Sequence, residues 1–381
     1  MLAVAIIFWL CAALIVYTQL GYGLLLAALV RLRGAAAGAA HDAAPQLDAD
    51  LPSVSLVVAA YREETVIAEK VANVRALDYP ADRVELIVAC DGSPDETPAR
   101  AREAGADVVL ELPRGGKIRA QDAAVRRARG AVVAFSDANA FWEPDALREL
   151  VAPFTDPRVG YVCGNVAFVN DGGTNQEGVY WRYEMALRAR ESRLASVTGG
   201  NGAIYATRRD AYIEVDPIMG HDLSFPFNMV KRGWRALYAP KARASEKMVP
   251  SIEGEFARKR RMMSHGWPIV LRGGMLSPKG YGPLYALMIL SHRVLRYAMP
   301  FLHLALLLTS FRLADQGWPY LAAVVLQGLV LLAGALARWV PNRAFLLARY
   351  YVLTQMALAA GLWDWARHGT EAGWSPPEGT R

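Results

Sequence analysis

Hydrophobic and polar residues along this chain divide it into apolar ends around a mixed middle. Residues 1–30 carry no charge, and further apolar stretches lie at about residues 295–311, 318–337 and 345–363. Each is of a length that crosses a bilayer. The first lacks a basic start and is about twice the apolar core of a secretory signal, so it reads as a retained anchor. In the middle, short valine-rich runs at residues 53–60, 84–89, 107–112 and 131–135 alternate with helical runs. That alternation predicts an α/β fold built from parallel β-α-β units. Residues 159–169 predict a further long strand, and residues 176–194 a charged helix whose Tyr180, Trp181 and Tyr183 pack on the sheet. The resulting division is an anchor (1–33), an alanine-rich linker (34–51), a soluble domain (52–249), an amphipathic region (250–280), membrane helices (281–366) and a tail (367–381).

Charge adds orientation. Arg31 and Arg33 follow the first span, and Arg338, Arg343 and Arg349 lie between the last two. The positive-inside rule then puts the soluble domain in the cytoplasm and the amino terminus outside. With four spans the carboxyl terminus is also outside, against the preference of Arg367 and His368. The expected location is the inner (cytoplasmic) membrane. Residues 253–271 interleave Arg258, Lys259, Arg260 and Arg261 with Phe256, Met262, Met263 and Trp267, the composition of an interfacial helix on anionic membrane lipid. Some of those arginines are alternatively suited to clamp a diphosphate. The net charge of +6 is modest and sits near membrane segments, which argues against nucleic-acid binding. Three scattered cysteines make neither a disulfide framework nor a metal cluster.

The candidate chemistry lies where predicted strands end. Asp91-Gly92 follows one strand, offering a carboxylate and a close backbone approach. Gly115-Gly116-Lys117 opens a helix, where free N–H groups suit an anion; the spacing is not that of a P-loop. Asp137 and Asn139 end the fourth strand two residues apart, and two oxygen ligands there suit Mg²⁺ or Mn²⁺. Taken alone, each of these segments also reads as an ordinary turn. The glycine run at residues 199–202 permits close approach to a ligand, or simply a loop with positive φ angles. Asp222 stands at a predicted helix start, as an N-cap or as an ionised proton acceptor.

In this order, AAYREE, CDGSPDET, GGK, FSDANA, GGNGAIYATRR, HD and EFARKRR resemble the family 2 glycosyltransferases over about residues 52–267. The resemblance implies a GT-A (Rossmann-like) nucleotide-sugar domain flanked by transmembrane helices, as in the polysaccharide-assembling members. It implies that Ala60, Tyr61, Glu63, Asp91, Lys117, Gly200 and Asn201 contact substrate. Asp137 and Asn139 stand in place of the family's D-x-D, Asp137 touching both metal and diphosphate. Asp222 matches the catalytic base, with His221 replacing the acid before it. Arg258 and Arg261 fall at the Gln and Arg of Q-x-x-R-W, with Met262 in place of the Trp. The implied reaction is inverting transfer from a nucleotide-sugar, by family habit a UDP-sugar, to a hydroxyl of a glycan or lipid-linked acceptor in envelope or exopolysaccharide synthesis. Two alternatives stand beside it: a polyprenyl-phosphate glycosyltransferase, and a non-catalytic membrane assembly protein of the same fold.

Overall fold

In a computed structural model of the chain, the described residues are 1–33, 47–169, 177–247, 252–340 and 342–373. Most of the linker and the last residues of the tail fall outside them, as does the side chain of Tyr180. The chain enters through α1 (Leu2–Val16), a π-helical turn (Tyr17–Gly21) and α2 (Tyr22–Arg33).

The middle of the chain folds around one sheet. Its strands are β1 (Val54–Ala60), β2 (Val84–Asp91), β3 (Val108–Leu112), β4 (Val132–Asp137), β5 (Phe141–Trp142), β6 (Val159–Val169), β7 (Ile204–Arg208) and β8 (Arg235–Lys247). The helices between them are α3 (Ile67–Arg75), α4 (Thr97–Glu103), α5 (Lys117–Arg127), α6 (Ala146–Val151), α7 (Glu177–Leu194) and α8 (His221–Lys231). The strand order is β3-β2-β1-β4-β7-β6-β8-β5. The first four strands are mutually parallel. β7 then runs antiparallel to both β4 and β6, so the sheet is mixed. Alternate residues along the central strands feed two cores. Leu56, Val58, Leu86, Val88 and Ala134 pack with Ile67, Val71 and Leu147 on one face. Val57, Ile87, Ala89, Val133 and Phe135 pack with Ala120, Ala124, Phe225 and Met229 on the other. Burial on both faces explains why these strands read as continuous apolar runs. Trp181 donates to the Val166 carbonyl at 2.8 Å, on the sheet as expected. Tyr183 instead donates to the Gln19 carbonyl on the first membrane helix, 2.9 Å away.

Beyond the sheet lie α9 (Ile252–Leu271), α10 (Pro283–Met288), a second π-helical turn (Ile289–Val294), α11 (Leu295–Leu313), α12 (Trp318–Leu336) and α13 (Arg343–His368). Four helical stretches, Leu2–Arg33, Pro283–Leu313, Trp318–Leu336 and Arg343–His368, are long and apolar enough to cross a membrane. α1 packs on α11 through Phe8, Cys11, Leu306 and Leu313. In α9 the apolar residues Trp267, Ile269 and Val270 are covered by protein, packing with Tyr297 and Leu358. Lipid is therefore not what buries that face, although Met262 and Leu271 remain exposed.

The expected position of the carboxyl terminus needs correction. Asp364 pairs with Arg260 at 2.6 Å, and the Thr370 hydroxyl donates to the Ser264 carbonyl at 2.8 Å. The Ala372 carbonyl lies against Gly116 of the soluble domain, 2.0 Å from where a Cβ would stand. The end of α13 is thus on the same side as the domain.

Candidate active site

The carboxyl ends of β2 and β4 and the start of α5 converge, because parallel strands with helical crossovers present their ends on one edge. Asp91 closes β2 and is 3% exposed. Its carboxylate accepts from the Gly115 N–H at 2.6 Å and from the Gly116 N–H at 3.0 Å, and it pairs with Arg114. The start of α5 is thus an anion site, as its glycines suggested, but the anion bound there is the chain's own carboxylate. Gly116 adopts φ +95°, a left-handed conformation that lets its N–H turn onto Asp91. The Arg114 guanidinium stacks on the Tyr61 ring, 3.4 Å from its centroid. Ala60 and Glu63 are buried, so Ala60 offers only backbone there. The Glu63 N–H is bound to the Thr97 hydroxyl at 2.9 Å.

Lys117, the first residue of α5, pairs with Asp137 at the end of β4. Its ammonium also lies 3.5 Å from the Gly202 carbonyl. Asn139 lines a hollow with Glu69, Phe141, Glu246 and Lys247. Among the described residues no three His, Cys, Asp or Glu side chains cluster as a metal site. Asp137 nevertheless suits a hard divalent cation that takes few protein oxygens and completes its shell with water and phosphate.

Loop 198–202 runs from Lys117 toward α8. The Gly200 N–H donates to the Asp222 carbonyl at 2.6 Å. Asp222 lies in the first turn of α8. Asn201 shapes this loop, donating to the Gly164 carbonyl at 2.7 Å and accepting from the Ile204 N–H at 2.9 Å. The preceding His221 is a core residue. It is buried, stacked on Phe225 at 3.9 Å and bonded through Nδ1 to the Tyr205 hydroxyl at 2.8 Å. Burial, reinforced by Lys117, holds its imidazole well below its usual range, hence neutral. Arg258 on α9 pairs with Glu255 on its own helix at 2.7 Å, and Arg261 is half-buried near it.

Residues 55–215 match the family model described as Glycosyl transferase family 2. The chain carries a family 2 glycosyltransferase domain. A beta-monoglucosyldiacylglycerol synthase of Synechocystis sp. is 34% identical to this chain over 179 residues, covering 43% of this chain and 36% of that protein. A poly-beta-1,6-N-acetyl-D-glucosamine synthase of Staphylococcus aureus is 24% identical over 259 residues, covering 64% of this chain and 62% of that protein. The chain thus spans less than two thirds of the curated relatives it matches. A mannosyltransferase of Pyrobaculum calidifontis, solved with GDP-Man and Mn²⁺, superposes with a TM-score of 0.70 at 24% identity, covering 95% of this chain and all of that one. That likeness establishes the fold, the GT-A arrangement expected from the motifs.

Sequence reasoning gave no role to Arg114, which pairs with Asp91, or to Arg188 and Arg293, which donate to the Gly200 carbonyl and the Thr198 hydroxyl of loop 198–202. Arg188 had no distinguishing signal within a charged helix. Arg293 did have one, as an ionisable residue in an apolar stretch.

Proposed function

We propose that this glycosyltransferase moves a sugar, with inversion, from a nucleotide-sugar to a hydroxyl of a glycan or lipid-linked acceptor at the cytoplasmic face of the inner membrane. The observation that carries the reading is loop 198–202, which touches Lys117 at Gly202 and Asp222 at Gly200. One short loop therefore links an anion-binding cation to a carboxylate suited to act as base. On this reading the base of the nucleotide lies near Tyr61, Asp91 and Arg114, and Lys117 and Asp137 face the diphosphate. The acceptor O–H attacks the anomeric carbon while its proton passes to the Asp222 carboxylate. The anomeric C–O bond breaks and its electron pair leaves on the diphosphate oxygen. One base on one face gives inversion. A bound Mg²⁺ or Mn²⁺ on Asp137, with Asn139 two residues on, would neutralise charge on the leaving diphosphate. Lys117, and Arg258 or Arg261 if α9 approaches, would add to that neutralisation. The donor is a UDP-sugar by family habit; the GDP-Man in the Pyrobaculum protein keeps GDP-sugars in the test.

The test is nucleotide release by the full chain in detergent, over UDP-, GDP- and dTDP-sugars with Mg²⁺ or Mn²⁺, with and without membrane lipid extract. Release should depend on the metal and cease on chelation. Asp222→Asn should lose turnover and keep donor binding, whereas Asp137→Ala should lose both. Near-normal turnover in Asp222→Asn would refute the base assignment and favour an acceptor that is already an anion.

A further inference from the structure

The segment that carries Asp137 and Asn139 is held from behind by α3. Residues 138–140 join β4 to the two-residue β5, and β5 is the last strand of the sheet. The outer edge of such a strand presents backbone groups with no further strand to meet. Asn73 on α3 fills that place. Its side-chain amide accepts from the Trp142 N–H at 2.9 Å and donates to the Trp142 carbonyl at 2.9 Å, pairing both groups as a neighbouring strand would. Three residues earlier on the same helix, Lys70 is wholly buried, and its ammonium donates to the Ala140 carbonyl at 2.5 Å. Ala138 and Ala140 are fully buried too, so the segment is packed as well as bonded. Within it, the Ala140 N–H donates back to the Asp137 carbonyl at 3.2 Å.

Trp142 carries this support across the site. Its indole N–H donates to the Ala203 carbonyl at 3.1 Å in a buried bond. Ala203 directly follows Gly202, whose carbonyl lies 3.5 Å from the Lys117 ammonium. The Lys117–Asp137 pair is thus framed on one side by the turn that Lys70 and Asn73 hold, and on the other by the loop end that Trp142 holds. Burying an ammonium is costly unless it is hydrogen-bonded. At this place Lys70 supplies a donor to a turn carbonyl, which an apolar side chain of its length would not.

We propose that Lys70 and Asn73 are positioning residues for the metal-binding turn, which hold Asp137 and Asn139 in the shape that accepts the divalent cation. The metal assignment rests on the glycosyl-transfer reading; the brace rests on the hydrogen bonds alone. Both residues act through the backbone of residues 140–142. Metal ligands generally depend on such outer hydrogen bonds for their orientation.

Asn73 is the residue to change, because it is uncharged, whereas removing Lys70 would also alter the field at Asp137. Mn²⁺ is titrated into the full chain in detergent with UDP or GDP present, and bound ion is read by electron paramagnetic resonance. Asn73→Leu removes both bonds to Trp142 and should weaken Mn²⁺ binding by about tenfold, the lower end for loss of a group that supports a metal ligand. Excess Mn²⁺ should then restore nucleotide release. Amide exchange read by mass spectrometry should quicken at residues 138–142 by about tenfold, the equivalent of one hydrogen bond. Val71→Ala is the control, since Val71 is buried on the same helix in the sheet core. It should lower the melting temperature and leave both readouts unchanged. Asn73→Ser, too short to span both Trp142 groups, takes the place of Asn73→Leu if that variant does not fold. Unchanged exchange in the Asn73 variant overturns the brace. Faster exchange with native Mn²⁺ affinity overturns its role at the metal, and so does equal weakening by Val71→Ala. Equal Mn²⁺ binding by the native chain and Asp137→Ala refutes the metal reading, while the exchange result still decides the brace.

Discussion

Gly200→Ala is the substitution that tests most directly whether loop 198–202 sets the geometry of the reaction. A Cβ at Gly200 would stand 2.0 Å from Tyr161 Oη, 3.1 Å from its Cζ and 3.3 Å from Cys163 Cβ. Tyr161 is wholly buried in the sheet core that holds Phe135 and Phe225, and its hydroxyl has no hydrogen-bond partner among the described residues. The ring cannot swing away, so the loop must move by roughly 1 Å to restore an ordinary contact, a cost of about 1–3 kcal/mol. That shift pulls on the 2.6 Å bond from the Gly200 N–H to the Asp222 carbonyl. A displacement of that size at reacting groups lowers turnover by about a hundredfold. Tyr161→Phe removes the offending oxygen. Because that oxygen is unpartnered, its loss should be neutral or stabilising by up to about 1 kcal/mol. In the double variant the nearest contact becomes the ring carbon at 3.1 Å, tight but tolerable with small adjustment. Nucleotide release and thermal melting of the four proteins form a cycle with an expected coupling of about 1–3 kcal/mol. Wild-type turnover in Gly200→Ala, or no rescue by Tyr161→Phe, would refute the argument that this loop is held rigidly against the tyrosine.

Two further tests reach other parts of the domain. Lys70 is fully buried beneath residues 138–140, and burial lowers its ammonium to about 7, partly countered by Asp137 and Glu246. Its folded value is below the unfolded one, so the unfolded chain binds more protons between about pH 7 and 10.5, and stability should rise with pH there by about 1.4 kcal/mol per unit. Melting midpoints of the native chain and Lys70→Met across that range check it, and equal slopes would count against it. Gly116→Ala combines a left-handed strain of about 1–2 kcal/mol with a clash against the Ala372 carbonyl. Its melting temperature should recover in part when the chain is ended at Gly369, and identical losses in both lengths would show that the tail does not press on this glycine.

The parallel half of the sheet was legible because burial on both faces makes each strand an unbroken apolar run. Residues 84–89 underran β2, which continues through Cys90 to Asp91, because polar site residues at a strand end look like loop. β8 gave no such signal. Its sequence, RALYAPKARASEK, is exposed at several positions near the sheet edge and interrupts its alternation with Pro240. The two-residue β5 is too short to carry a pattern. Asp91, Lys117, Asp137 and Asp222 lay at predicted element ends, and the folded chain pairs Lys117 with Asp137 as their shared edge implied. What sequence could not supply was long-range pairing. Asp91 meets the glycines that seemed reserved for a ligand, and His221 turns inward among aromatic rings.

The apolar helices are tied to the candidate site through hydrogen bonds that end on loop 198–202. Tyr22 and His292 come from two different apolar helices, and both bond Glu191, which also accepts from the N–H and the hydroxyl of Thr198 at the start of the glycine loop. Both helices change to π geometry close to these residues, and Tyr17 and Ser291 meet across the two turns at 2.8 Å. A π turn carries an extra residue and re-aims the side chains that follow, a feature common at functional sites. Each bond is made to a buried, ionised group, so none is cheaply broken. Movement of either helix must therefore be transmitted to Thr198, and through four residues of loop to Asp222 and Lys117. On these contacts the two helices, Glu191 and loop 198–202 form one hydrogen-bonded unit.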